Sequence, residues 1–118
     1  MKNNIIKDKS YKFALRIIGL YKYLQNKKEN VLSKQVLRSG TSIGANVEEA
    51  VGGQSKKDFL SKINIAYKEI RETRYWINLI KDSKYLEEKL AKSFLEDCEE
   101  LAKITGKIIK TTKLKIKK

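Results

Sequence analysis

Apolar residues recur at helical spacing through most of the chain, and this pattern predicts four helices joined by short polar segments. In the first predicted helix, residues 9–27, apolar residues repeat at positions i, i+4, i+7 and i+11, which gives one stripe along the helix. The stripe consists of Phe13, Ile17, Leu20 and Leu24, widened by Ala14, Ile18 and Tyr21.

The second predicted helix, residues 31–51, carries a polar row beside its apolar row. At about 100° per residue, the apolar row falls within an arc of about 60° and consists of Leu32, Val36, Ile43, Val47 and Ala50. The polar row beside it consists of Gln35, Ser42, Asn46 and Glu49. Short polar side chains at the edge of a core indicate a hydrogen-bonded seam, either between helices or between subunits. A buried polar network without a ligand is the favoured interpretation.

Glycines mark two further features of this helix. Gly40 and Gly44 lie one turn apart inside it, where each glycine costs about 1 kcal/mol of helix stability, so they predict the close approach of another backbone. Gly52 and Gly53 are expected to end the helix, and Asn30 is the expected N-cap.

The third predicted helix begins at Ser55, which with Asp58 resembles a capping box, and it has two rows of interest. The first is a heptad row that predicts burial in a core: Phe59, Ile63, Ala66, Ile70, Thr73, Ile77 and Ile80. The second lies about 120° away and consists of Ile65, Glu69, Glu72, Trp76 and Leu79. A second row predicts burial on another side, most simply at a subunit contact anchored by Trp76. Ion pairs with Arg71 and Arg74 would satisfy the two glutamates.

In the fourth predicted helix, residues 86–112, acidic residues precede basic ones. Its predicted inward residues are Leu90, Phe94, Cys98, Leu101, Thr105 and Ile108. From Lys103 onward the chain has lysines and no acid, which complements the helix dipole. The tail, about residues 113–118, is either a phosphate-binding arm or a frayed solubilising end. Its basic residues are Lys113, Lys115, Lys117 and Lys118.

Four amphipathic helices with short connections predict an all-α fold, an antiparallel up-down-up-down four-helix bundle. The chain has 118 residues and no proline, which favours one domain, residues 1–118, with long uninterrupted helices. No apolar run is long enough to cross a membrane, and the N-terminus lacks the features of a signal peptide. A cytoplasmic protein with no membrane partner is therefore expected.

Composition argues against an enzyme. The chain has no histidine, which removes the commonest general base and metal ligand, including the ligands of a di-metal bundle site. Its single cysteine, Cys98, lies on the inward row and has no histidine partner to activate it. No catalytic residue, cofactor or metal site is predicted.

The net charge of +13 favours an anionic partner, although a lysine-rich genome composition would produce the same surplus. The outer side of the third predicted helix carries three basic residues and one tyrosine that could contact such a partner. This set, called the basic row, consists of Lys57, Lys68, Arg71 and Tyr75. Together with the lysine tail, this row is the candidate nucleic-acid surface.

The run Q-V-L-R-S-G-T-S-I-G-A-N-V-E-E-A, residues 35–50, resembles the signature of a known family, approximately Q-L-R-R-A-A-x-S-I-x-A-N-I-A-E-G. This is the family of four-helix bundle proteins named for open reading frames inside 23S rRNA intervening sequences. The matching residues are Gln35, Arg38, Ser42, Ile43, Ala45, Asn46 and Glu49, followed by Phe59, Ala66 and Glu72 in the third helix. Departures are Leu37, Ala50 and Glu69, and a proline usual before the second helix is missing. The likeness covers about residues 11–109.

The resemblance implies a ring-like homopentamer of antiparallel bundles. A related branch serves as the accessory protein of diversity-generating retroelements, where it binds nucleic acid and a reverse transcriptase. The leading hypothesis is therefore a non-enzymatic oligomeric accessory protein that binds structured RNA mainly at its phosphates, with a reverse transcriptase or another protein as a further partner. The alternative hypothesis is a protein-interaction scaffold or adaptor bundle with no nucleic-acid role.

Overall fold

The computed structural model describes residues 2–117, with side chains from Ile5 onward, and contains the four predicted helices. They are α1 (Lys2–Asn26), α2 (Leu32–Val51), α3 (Lys56–Asp82) and α4 (Glu88–Lys117). The principal-axis extents are 51 × 21 × 21 Å, so the helices lie side by side along one long axis. α1 begins earlier, and α4 continues further, than the apolar periodicity predicts.

Contacts between successive helices show that they are antiparallel. Near the start of α1, Lys7 Nζ lies 3.4 Å from Glu48 Oε2 near the end of α2. At the opposite end, Gln25 Nε2 donates to Ser33 Oγ at 2.9 Å. Because residue numbers rise along α1 as they fall along α2, the two helices run in opposite directions.

The same relation holds around the rest of the bundle. Along α2 and α3, Arg38 pairs with Glu72 and Glu49 pairs with Lys62. α4 packs against both α3 and α1, which closes the four helices into a square. Lys9 pairs with Glu100 and Arg16 pairs with Asp97 across the α1–α4 side, so α4 runs antiparallel to α1 and the predicted up-down-up-down topology is confirmed.

The core is formed by the inward stripes of all four helices, and most predicted inward residues are buried. Two predictions are wrong. Leu90 is 36% exposed, because α4 begins at Glu88 and this end of the core is filled by Leu86 and Ala91 instead. Ile18 is 37% exposed and lies outside the core. Within the described part of the chain, every buried side-chain nitrogen or oxygen has a hydrogen-bond partner.

Helix α2 begins with a cap that the local sequence pattern does not predict. The carboxylate of Glu29 accepts the backbone N–H groups of Val31, Leu32 and Ser33 at 3.2, 3.1 and 2.6 Å. Its negative charge also complements the positive end of the helix dipole. The N-cap position is Val31, which forms no side-chain cap, so the prediction of Asn30 is wrong. Ser55 caps α3 as predicted, because its Oγ accepts Asp58 N–H at 3.0 Å.

The two glycines inside α2 allow α1 to approach closely. The predicted approach of a backbone is confirmed at Gly44, whereas the neighbour at Gly40 is a side chain. A Cβ at Gly44 would lie 3.3 Å from the backbone oxygen of Ser10. A Cβ at Gly40 would lie 2.7 and 2.8 Å from Cγ1 and Cγ2 of Ile17, which is fully buried. Small residues at these two positions therefore set the separation of α1 and α2.

Gly40→Ala is expected to lower the free energy of unfolding by about 1–3 kcal/mol, because overpacking at Ile17 outweighs the gain in helix propensity. Gly106→Ala is the matched control, since a Cβ there meets no atom within 4 Å. It should raise the free energy of unfolding by about 0.5–1 kcal/mol. Urea denaturation followed by circular dichroism measures both, and stabilisation by Gly40→Ala would refute the close contact.

Candidate functional site

The polar row of α2 and the second row of α3 lie on the same side of the bundle, along the outer edge where the two helices meet. Three ion pairs cross this edge. Arg38 reaches both Glu69 and Glu72, and Glu49 lies 2.9 Å from Lys62 Nζ. The structure thus brings two surfaces that are separate in the sequence into one α2–α3 face.

Arg38 is the centre of this face. Its Nη1 lies 3.5 Å from Glu69 Oε2, and its Nη2 donates to Glu72. Trp76 Nε1 donates to the same Glu72 carboxylate at 2.9 Å. The expectation that Arg71 and Arg74 pair with these glutamates is wrong, because the guanidinium that holds them comes from α2. The register of α2 against α3 determines which cation reaches these glutamates, and spacing within α3 does not reveal that register.

A buried polar contact lies beneath the Arg38 cluster. Thr73 Oγ1 and Ser39 Oγ are 2.9 Å apart, and both residues are fully buried. Thr73 Oγ1 also lies 2.7 Å from the backbone oxygen of Glu69. Sequence reasoning placed Thr73 in the apolar row and missed Ser39. A threonine within an otherwise apolar heptad was the available signal.

The predicted polar row of α2 makes mainly local hydrogen bonds. Ser42 Oγ donates to the backbone oxygen of Arg38 at 2.6 Å, and Asn46 Nδ2 donates to that of Ser42 at 2.8 Å. Gln35, Ser42 and Asn46 are half-buried, and Glu49 is exposed. The row is therefore not a buried network within one protomer. Its assignment to a subunit boundary stays a prediction.

The basic row of α3 faces solvent along its whole length. Lys57, Lys68, Arg71 and Tyr75 are all exposed and share the outer side of the helix. From Lys57 to Tyr75 the row extends about 27 Å at 1.5 Å per residue. The sequence-based placement of these side chains on one surface agrees with the structure, and their ligand stays a prediction.

The lysine tail continues α4 and is helical up to Lys117. Lys113, Lys115 and Lys117 are exposed, whereas Thr112 is buried and donates to the backbone oxygen of Ile108 at 2.7 Å. Residues 113–117 thus form the last part of α4. Whether they bind phosphate or only solubilise the end of the chain stays a prediction. Lys118 lies outside the described residues.

Two apolar surfaces remain in contact with solvent in the isolated chain. The first belongs to α3, where Ile65 is 38% exposed and Trp76 and Leu79 are half-buried. The second, which sequence reasoning missed, is an outward stripe on α1 at i, i+4 and i+7. It consists of Tyr11, Leu15 and Ile18, with 66%, 55% and 37% of each residue exposed. The outward stripe has the same helical spacing as the core stripe of α1. The sequence pattern alone therefore does not show which of the two stripes is buried.

Two features of the described residues bear on catalysis, the possible metal ligands and the buried Cys98 thiol. Between residues 2 and 117 there is no group of three or more acidic, cysteine or histidine side chains that could hold a metal ion. Burial raises the pKa of the Cys98 thiol to about 12, with a smaller contribution from the charge of Asp97. The thiol therefore stays protonated and unreactive near neutral pH. None of the described helices is long and apolar enough to cross a membrane.

A comparison with protein-family models matches residues 2–107 to the 23S rRNA-intervening sequence protein family. The chain belongs to this family. The match covers more of the chain than the predicted likeness, and it includes both signature residues of the central ion pair, Arg38 and Glu72.

One solved relative has the same fold over nearly the whole length. It is a Bacteroides thetaiotaomicron protein described as having unknown function and as belonging to the S23 ribosomal protein family. The two sequences are 50% identical, with a TM-score of 0.91, over 93% of this chain and 99% of that one. The comparison with curated proteins finds no match. Membership of the 23S rRNA-intervening sequence protein family therefore establishes the fold and leaves the activity to be inferred from the site.

Arg38→Met should lower the free energy of unfolding by about 1–2 kcal/mol, between the values for exposed and buried ion pairs. The physical reason is that Glu69, whose side chain is only 17% exposed, loses its cation. Lys62→Met is the matched control, because it removes one charge from a more exposed pair and should cost less than about 0.5 kcal/mol.

Urea denaturation measures both variants. Adding Glu69→Gln to Arg38→Met should recover part of the loss, because the amide carries no charge that needs a partner. Equal losses for Arg38→Met and Lys62→Met would show that the cluster has no special role.

Proposed function

We propose that this member of the family is a non-enzymatic, oligomeric accessory protein that binds structured RNA mainly through its phosphates. The observation that carries the proposal is the exposed basic row of α3 on a chain with a net charge of +13. Phosphate contacts supply most of the affinity in such complexes and little sequence selectivity. The association of the family with 23S rRNA intervening sequences supports RNA as the anion.

The distribution of ion pairs supports this surface as the site. Acids at the helix boundaries are engaged within the protomer: Asp97 with Arg16, Glu100 with Lys9, and Glu69 and Glu72 with Arg38. The outer side of α3 presents Lys57, Lys68 and Arg71 to solvent. A phosphate approaching α3 thus meets cations first, which favours fast, salt-dependent association.

Oligomerisation is the second part of the proposal, and the two exposed apolar surfaces support it. A ring requires two different, complementary surfaces on each subunit, whereas a twofold dimer requires only one. The α3 row around Ile65 and the α1 stripe around Leu15 are two different apolar surfaces on different helices. The pentamer follows from the family resemblance, and five copies would multiply the basic rows available to one RNA.

The same α1 stripe favours a second candidate function, a scaffold that binds another protein, for example a reverse transcriptase. Apolar side chains such as Leu15, which is 55% exposed, are typical anchors of protein interfaces. The two candidates differ in the purified material. An accessory RNA-binding protein should carry nucleic acid with a raised ratio of absorbance at 260 to 280 nm, and a scaffold should not.

Replacing Lys57, Lys68 and Arg71 together by glutamine should weaken binding to a structured RNA hairpin. It should also reduce the slope of log K against log salt concentration by about one unit for each lost phosphate contact. The matched control replaces Lys22, Lys34 and Lys89 by glutamine. These lysines are exposed and lie outside α3, and their replacement removes the same amount of charge. Fluorescence anisotropy across a salt series measures affinity and slope.

Ending the chain at Thr112 tests the lysine tail in the same assay. The truncation should also reduce the slope of log K against log salt concentration relative to wild type. Circular dichroism confirms that each variant is folded. Wild-type protein that does not bind the hairpin at low salt, or binds with no salt dependence, would contradict the proposed function. Equal effects of the α3 and control triples would contradict the site.

Ile65→Glu should reduce the oligomer mass measured by light scattering while helical circular dichroism is kept, because a charge would be buried at the subunit contact. Leu90→Glu is the matched control, since Leu90 is exposed to almost the same degree and lies on neither apolar surface. It should leave the mass unchanged. Wild-type protein that remains a 13.7 kDa monomer at micromolar concentration would contradict oligomerisation.

A further inference from the structure

We propose that the exposed face of Tyr75 is a stacking platform for an unpaired RNA base, so that the α3 surface prefers single-stranded nucleotides to duplex. This inference rests on the proposed function and names the part of a structured RNA that α3 binds. Three observations support it: the exposure and orientation of the tyrosine ring, the contacts that hold the ring, and the cations beside it.

Tyr75 is 57% exposed, so more than half of its surface is available to a partner. It packs against Trp76 in an edge-to-face arrangement, with ring centroids 5.1 Å apart and an interplanar angle of 72°. An edge-to-face contact does not use both faces of the tyrosine ring. A flat base can stack on an exposed aromatic face of this kind, and every base has such a face.

Trp76, which packs against the Tyr75 ring, is itself held by a series of polar contacts. Trp76 Nε1 donates to Glu72 at 2.9 Å, and Glu72 in turn is held by Arg38 from α2. Each contact limits the freedom of the next side chain, so the platform is organised before RNA arrives. Preorganisation lowers the entropic cost of binding. Trp76 and Glu72 are therefore positioning residues, and Tyr75 is the contact residue.

Cations lie beside the platform at helical spacing. Arg71 is one turn before Tyr75 and Lys68 is two turns before it, so all three share the outer side of α3. A nucleotide whose base stacks on Tyr75 can place neighbouring phosphates against these cations. Bases in a duplex are already paired and stacked on each other, so only loops, bulges and ends can use both parts of the surface.

The other exposed tyrosines lack this combination. The Tyr23 ring is already covered by Lys27 Nζ, 4.6 Å from its centroid. Tyr11 belongs to the apolar stripe of α1, beside Leu15. Tyr85 lies in the connection between α3 and α4, where its backbone oxygen accepts from Lys27 Nζ at 3.3 Å. Tyr75 alone among these four combines a supported ring with flanking cations on one helix face.

The test compares a short oligouridylate with a blunt RNA duplex, using the full-length protein with Tyr75→Leu or Tyr75→Phe. Tyr75→Leu should weaken oligouridylate binding about 5- to 150-fold, the loss expected for one stacked base, and change duplex binding by less than about twofold. Tyr75→Phe should bind like wild type, because stacking needs the ring and not the hydroxyl. Trp76, the only tryptophan, reports on the site by its fluorescence, which oligouridylate should quench in wild type and Tyr75→Phe.

Each other outcome is decisive. Unchanged oligouridylate binding by Tyr75→Leu, or equal losses for oligouridylate and duplex, would overturn the platform and leave salt-dependent phosphate binding intact. A Tyr75→Phe protein that behaves like Tyr75→Leu would assign the effect to the hydroxyl and also overturn it. Wild-type protein that binds neither RNA at low salt would instead refute the proposed function itself.

Discussion

The pairing of Arg38 with Glu69 and Glu72 is the interaction on which the candidate site depends. One guanidinium from α2 holds two carboxylates of α3, and the planar fork of its donors suits this task better than a lysine ammonium would. The Glu69 side chain is mostly buried, so its charge requires a partner. Because Glu72 also accepts from Trp76, the same contact fixes the aromatic side chains that follow on α3.

This arrangement separates two roles of charge in a strongly basic chain. Acids that lie between helices pair with Arg16 and Arg38, which joins neighbouring elements around an apolar core. Lysines and arginine on the outer side of α3 extend into solvent. Ion pairs at helix boundaries add modest stability, whereas the outer cations make the surface attractive to polyanions. The bundle thus fixes the shape, and the outer side of α3 presents cations to solvent.

Much of the fold could be predicted from the sequence, because heptad spacing encodes which side of each helix is buried. The glycines of α2 likewise predicted a close approach, since a glycine inside a helix lowers stability unless a neighbouring element needs the space of its missing side chain. Contacts between helices could not be predicted in the same way. Arg38 lies far from Glu72 in sequence, so Arg71 and Arg74 were the nearer candidates. Ser42 and Asn46 bond to their own helix, a local alternative that an interpretation based on faces overlooks.

The central claim is that RNA meets the outer side of α3, positioned through Arg38. Photo-crosslinking of a 4-thiouridine-labelled RNA hairpin, followed by mass spectrometry of the digested protein, tests it most directly. The account predicts cross-links at Tyr75 and in the peptides that carry Lys68 and Arg71, with fewer in Arg38→Met protein. Cross-links confined to α1 and the outer side of α2, or an identical map in Arg38→Met, would contradict it.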